Sequence, residues 1–199
     1  MHIAPSDLVL SPTRWLAMIP MMLGVLVGAL TISPITTALP AIRADVHLSS
    51  AEALWIIDAY PLALAATLVI AARLGDRFGR RTIMAVGLVG FAGFNLLAGL
   101  TDTPVVLIAM RALLGLAEAM VIANVVATIG TQFHARERVL AYGMWTAAFG
   151  SGTAFGPVVG GLLAEGPGWR WIMLGCVPIA LFTLALALWL VPQSRTAVA

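Results

Sequence analysis

Leu74-Gly75-Asp76-Arg77-Phe78-Gly79-Arg80-Arg81 is a dense knot of charge and glycine between two long apolar runs. Its reading decides the fold. An Arg or Asp at the centre of a lipid bilayer costs about 3 kcal/mol even on the lenient insertion scale. The knot therefore predicts a short loop at a membrane surface. The arginines clustered here, Arg73, Arg77, Arg80 and Arg81, assign that surface to the cytoplasmic side.

Composition points the same way. Hydrophobic residues make up 61% of the 199, charged residues only 10%, and the mean hydropathy is +1.00. A soluble domain needs far more charge, and the apolar runs exceed the length that spans a hydrocarbon core. The chain reads as an all-α polytopic membrane protein, because an isolated strand in lipid leaves its backbone unpaired. The basic isoelectric point, about 9.3, comes from arginines on loops; no basic patch marks a nucleic-acid partner. The single cysteine, Cys176, excludes a disulfide within the chain, and His2, His47 and His134 lack ligand spacing. No metal site, cofactor or enzymatic chemistry is expected: the sequence offers no nucleophile–base pair and no phosphate loop.

Working outward from the knot, six spans are predicted, about 14–39, 52–72, 82–100, 104–129, 139–163 and 169–191. Residues 1–13 read as a cytoplasmic tail and 193–199 as a cytoplasmic end. Nothing at the N-terminus has the form of a cleavable signal. Arg14, Arg73, Arg77, Arg80, Arg81, Arg136, Arg138 and Arg195 then fall on one side, and only Arg43 and Arg170 on the other. That bias places both termini in the cytoplasm of a multi-pass protein of the cell membrane, reading as bacterial inner membrane. Trp15, Trp55, Trp169, Trp171 and Trp189 sit near span ends, as interfacial anchors. A faint echo links the ends of the second and fifth spans, Asp76 to Arg80 and Glu165 to Arg170, suggesting a three-helix unit repeated upside down.

Three ionisable residues lie within spans: Asp58, Arg111 and Glu118. Such groups face a bundle interior or a wet cavity by default. Trp55, three residues before Asp58, shares its helix face. A carboxylate beside an aromatic ring suits a lipophilic cation, and the same carboxylate can hold a proton. The competition between the two is the minimal chemistry of an exchanger. The bland alternative is a shallow, wet Asp58 that anchors a helix end. Glu118 lies near the middle of the fourth span, and Arg111 stands two turns earlier, about 10.5 Å along the axis. Direct contact between them is not expected; water or a facing helix could bridge them, or the pair could be purely structural. Tyr60, Trp145 and Phe149 join Trp55 as candidate aromatic walls of a cavity. In the fifth span, Gly152, Gly156 and Gly160 recur at four-residue spacing with Pro157 and Gly161 among them, a bare helix face beside a kink.

These motifs resemble the major facilitator superfamily. Ala72 to Arg81 looks like its motif A, with Ala72 where Gly is usual. In it Gly75, Asp76, Arg77, Gly79, Arg80 and Arg81 stand as the gating loop. Arg111-Ala-Leu-Leu-Gly115 resembles motif B, and Gly152 to Gly161 resembles motif C, which marks antiporters. Trp55-Ile-Ile-Asp58-Ala-Tyr60, with Ala38-Leu39-Pro40 closing the first helix, is similar to the fourteen-span drug:proton antiporters that export quaternary ammonium compounds. The resemblance covers about residues 14–192.

The resemblance implies half of a major facilitator fold: a six-helix N-terminal bundle. Its implied partners are lipophilic cationic drugs, protons, membrane lipids, and either a C-terminal six- or eight-helix half or a second copy in a homodimer. Asp58, Glu118 and Arg111 would be its proton and cation groups. Within this half, Asp76 is expected to pair with Arg136 or Arg138. Thr31 stands where the branch usually carries an acid, and Glu118 where it more often has a small residue, so the acid has been transferred from the first helix to the fourth in this reading. A transporter of sugars, acids or metabolites, and a non-transporting half that only binds partners, are the alternatives.

Overall fold

The computed structural model describes residues 13–194. The expected tail and C-terminal end fall almost wholly outside the described residues, as does Arg195. A short turn of helix, α1 (Thr13–Leu16), leads into α2 (Met18–Val46), followed by α3 (Ser50–Phe78), α4 (Arg80–Leu100), α5 (Pro104–Gln132), α6 (Ala135–Glu165) and α7 (Arg170–Leu190). No strand occurs among the described residues. Six helices are long and apolar enough to cross a membrane.

Local chemistry sets the boundaries. His47 ends α2 in the left-handed conformation, φ 55°. Ser49 and Glu52 form a reciprocal capping box at the start of α3. Pro104 opens α5, where its missing N–H has no intrahelical role to lose.

The sequence placed most helix ends too early. The first helix does not close at Pro40 but runs to Val46. The second span, expected to stop at residue 72, continues to Phe78, and the fifth extends past 139–163 at both ends. Polarity marks where lipid stops, whereas a helix continues for as long as its backbone bonds close internally. The charged knot is thus a helix–helix corner rather than a loop. Gly79 alone breaks the helical path, at φ 106° and ψ 130°, a backbone open to glycine and strained for other residues.

The principal packing pairs are α3 with α5, α2 with α6, α4 with α5, α4 with α7 and α2 with α7. Exchanging the units α2–α3–α4 and α5–α6–α7 maps every one of these pairs onto another or onto itself. This is the packing expected of an internal three-helix repeat. In neighbour order the helices run α6, α2, α7, α4, α5, α3. The two at the ends of that order are the least covered: 22% of the most apolar stretch of α3 is buried and 17% of that of α6, against 56% for α2.

Contacts also sort the two ends of the bundle. At one end Arg14 pairs with Glu137 at 2.5 Å, and the Arg80 backbone N–H donates to Ser194 O at 3.0 Å. At the other, Arg170 pairs with both Asp45 and Asp102. Trp169, expected as an interfacial anchor, is buried there and donates from Nε1 to Asp45.

The glycine stripe of α6 seats this helix on α2. Gly152, Gly156 and Gly160 are buried, while Pro157 faces outward. A Cβ at Gly160 would stand 2.8 Å from Pro34 Cα, and one at Gly152 would stand 2.7 Å from Ala29 Cβ. Pro157 has no N–H for the carbonyl of Thr153, four residues earlier. Ser33 of α2 fills that gap: its Oγ donates to Thr153 O at 2.8 Å. We expect Gly160→Val to weaken the bundle strongly and Ser33→Ala to cost about 1 kcal/mol. Gly161→Val, whose nearest neighbour is Thr37 Cγ2 at 3.9 Å, should be near neutral. Denaturation of the purified protein in mixed detergent micelles ranks the three.

Candidate functional site: a buried polar cluster at the bundle centre

Four helices bring polar side chains together inside the bundle: Thr31 from α2, Tyr60 from α3, Arg111 and Glu118 from α5, and Cys176 from α7. All are at most 4% exposed.

Arg111 bonds the backbone of two other helices. Its Nε donates to Ile56 O at 2.9 Å and its NH1 to Thr31 O at 3.0 Å. Pro34 and Pro61 free the carbonyls of Leu30 and Ile57, four residues earlier, so the two carbonyls that Arg111 meets are neighbours of the freed ones and not those themselves. The guanidinium also lies 4.8 Å from the Tyr60 ring centroid. One side chain of α5 therefore ties α2 and α3 together. Gly115, one turn on, keeps this approach close: a Cβ there would stand 3.0 Å from Leu64 N.

Glu118 is placed in the opposite way. It is 2% exposed, and among the described residues nothing hydrogen-bonds its Oε1. Its carboxylate lies against Gly28 of α2, where a Cβ would come within 2.5 Å of Cδ. Thr31 is one turn further along α2, donating to Val27 O at 3.0 Å and to Cys176 Sγ at 3.4 Å. The Tyr60 hydroxyl is likewise buried without a partner among the described residues.

The other expected residues divide. Asp58 and Trp55 do not join this cluster; both lie on the exposed side of α3, Trp55 at 54% exposure. Two residues along a helix turn the side chain through about 200°, so Tyr60 faces inward while Asp58 faces out. Phe149 is exposed on α6. Trp145 packs instead against a second apolar cluster, which includes Met18, Met21 and Phe133.

At the corner between α3 and α4, Asp76 pairs with Arg80 four residues on, at 2.9 Å, rather than with the expected Arg136 or Arg138. Arg80 is buried; its NH1 donates to Ala127 O at 2.8 Å and to Thr131 Oγ1 at 2.7 Å of α5. Arg77 stays exposed over the Phe78 ring, and Gly75 takes the side chain of Asn124 against its Cα. Gly28, Thr31 and Ser33 are participants that sequence reasoning did not assign to contacts. Small residues at positions 24, 28 and 31 of an apolar helix were the available signal.

The family description "Major Facilitator Superfamily" matches residues 21–199. The multidrug efflux pump LfrA of Mycolicibacterium smegmatis is 41% identical over 93% of this chain and 37% of its own length. The tetracenomycin C resistance and export protein of Streptomyces glaucescens is 33% identical over 98% of this chain and 37% of its own. The chain thus spans little more than a third of these relatives. Among solved structures, the proton:xylose symporter XylE superposes with a TM-score of 0.81 at 16% identity, covering 92% of this chain and 46% of that one; this likeness is one of fold.

The seating of Glu118 on Gly28 is open to a double-mutant cycle. Gly28→Val should destabilise by about 1–3 kcal/mol through overpacking. In a Glu118→Ala background most of that cost should vanish. Equal costs in both backgrounds would show that the two residues are not in contact.

Proposed function

Because this chain belongs to the major facilitator superfamily, a multi-pass membrane family, we propose that it forms the N-terminal bundle of a drug efflux antiporter that exchanges protons for lipophilic cations. The observation that carries the reading is Glu118. A carboxylate this deep, with no cation or donor at Oε1, needs its counter-charge from outside the protein. A proton supplies it in one state and a cationic guest in another. Arg111 stands two turns away on α5, about 10.5 Å along the axis, with two of its donors on backbone carbonyls of α3 and α2; it positions the helices that enclose Glu118. The efflux activities named for the two relatives support drugs as the substrate class.

Asp58 and Trp55 lie on the open face of α3. There they would meet cargo at the boundary with the remaining half of the transporter, an acid paired with an aromatic surface. Phe149 on the open face of α6 belongs to the same boundary. Motif A at the Gly79 corner would gate the end of the bundle that carries the arginines. We take that end as cytoplasmic from the arginine bias. The position of Thr31 fits the transferred-acid reading: it is buried one turn from Gly28, on which the Glu118 carboxylate rests.

Proton-gradient-driven ethidium export from everted vesicles, with the gene expressed in its full reading frame, tests this. Glu118→Gln should reduce export at least ten-fold, and Asp58→Asn should reduce it with a change in substrate range. Undiminished export by Glu118→Gln removes the central claim. Thr31→Asp combined with Glu118→Ala should regain export lost in Glu118→Ala alone; a pair as inactive as that single variant rejects the transferred acid.

A further inference from the structure

A groove of about 390 Å³ runs along the outer surface between α4 and α7, lined by Arg81, Thr82, Val86, Val89, Leu184 and Leu188. Val86, Val89 and Leu188 are 52%, 55% and 48% exposed. Along α4 the lining extends from position 81 to 89, about 12 Å at the helical rise. All its length is apolar except one end. There Arg81 reaches across to the C-terminal turn of α7, its NH1 3.4 Å from both Leu188 O and Val191 O. These contacts are long, and the guanidinium carries five N–H donors. The Thr82 hydroxyl accepts from Gln193 Nε2 at 2.6 Å and keeps its own proton to donate. The N-terminus of the 21-residue α4 adds its positive dipole at the same place.

We propose that this groove binds an anionic phospholipid, with the acyl chain along Val86, Val89, Leu184 and Leu188 and the headgroup phosphate on Arg81 and Thr82. Charge and shape select this occupant. The lining is apolar over a length suited to part of an acyl chain, and its only cation sits at one end, where a headgroup sits. Basic pockets between membrane helices on the cytoplasmic side are a recurrent way of holding such headgroups. The assignment rests on the sidedness proposed above, which places Arg81 at the anionic leaflet. It does not depend on transport. The groove lies on α4 and α7, in the middle of the packing order, and not on the open faces of α3 and α6. A lipid here would bear on the Gly79 corner, because Gln193 and Ser194 bond Thr82 and Arg80 on its other side.

The test is native mass spectrometry of the purified full chain, released from detergent with phosphatidylglycerol or phosphatidylcholine added. The wild type should retain phosphatidylglycerol in preference. Arg81→Gln should lower that retention about five-fold, the weight of one arginine at an anionic surface, and leave phosphatidylcholine unchanged. Arg81→Lys should keep most of it, which separates lost charge from lost fold. Arg77→Gln, exposed at the same end but off the groove, should have no effect. Val86→Trp should fill the groove and lower phosphatidylglycerol retention with Arg81 intact. Equal retention of the two lipids by the wild type, equal losses in Arg77→Gln and Arg81→Gln, or an unaffected Val86→Trp would each overturn the proposal. Because the readout is lipid retention, such a failure leaves the role of Glu118 untouched.

Discussion

The Arg111 guanidinium, donating to one carbonyl of α2 and one of α3, is the contact on which the interior depends. Hydrocarbon offers a buried polar group no water, so each must be met by another part of the protein. The prolines make this demand acute. Pro34, Pro61 and Pro157 each interrupt a backbone ladder. At the third the neighbouring helix answers, Ser33 donating to the freed Thr153 carbonyl. Beside the first two, Arg111 of α5 donates to carbonyls next to the freed ones.

The fastening differs between interior and surface. In the interior, Arg111 is buried and donates at 2.9 and 3.0 Å. At the ends the bundle is closed by pairs with solvent access, Arg170 with Asp45 and Asp102, and Arg14 with Glu137. Surface pairs of this kind contribute roughly 0–1 kcal/mol each. Surface pairs can therefore part at small cost while the buried contacts keep the helices in register. The Gly79 corner is the exception. There a buried Arg80 joins α3, α4 and α5, and the segment after α7 closes over it. Movement at that end must pass through these bonds together.

Much of this was legible in the sequence, for reasons that can be named. The arginines sorted the spans because lipid excludes charge without regard to tertiary detail. The glycines of α6 announced a close helix contact because four-residue spacing lies on one face. What could not be read was direction. Asp58 and Tyr60 are two positions apart in one apolar run, and nothing local says which of them turns inward. Helix ends were misplaced because α3 stays helical through Arg73, Asp76 and Arg77, beyond the lipid boundary that hydropathy detects. The partners of Arg111 are carbonyls, and a backbone acceptor leaves no mark in the side-chain sequence.

Arg111 and Glu118 show why burial alone does not identify a working group. They stand on one helix, both buried, seven residues apart. Arg111 is tied to the fold by bonds to α2 and α3, so any change in its state breaks bonds that hold three helices. Glu118 has no such bond at Oε1 and lies against a glycine. It can gain or lose a proton without undoing an existing contact, and the missing side chain at Gly28 leaves room for the change. A transporter needs both kinds of residue at close range: one that keeps the helices in register, and one whose occupancy can differ from state to state. On this argument the carboxylate with an unbonded Oε1, and not the more conspicuous guanidinium, is the group we propose for exchange.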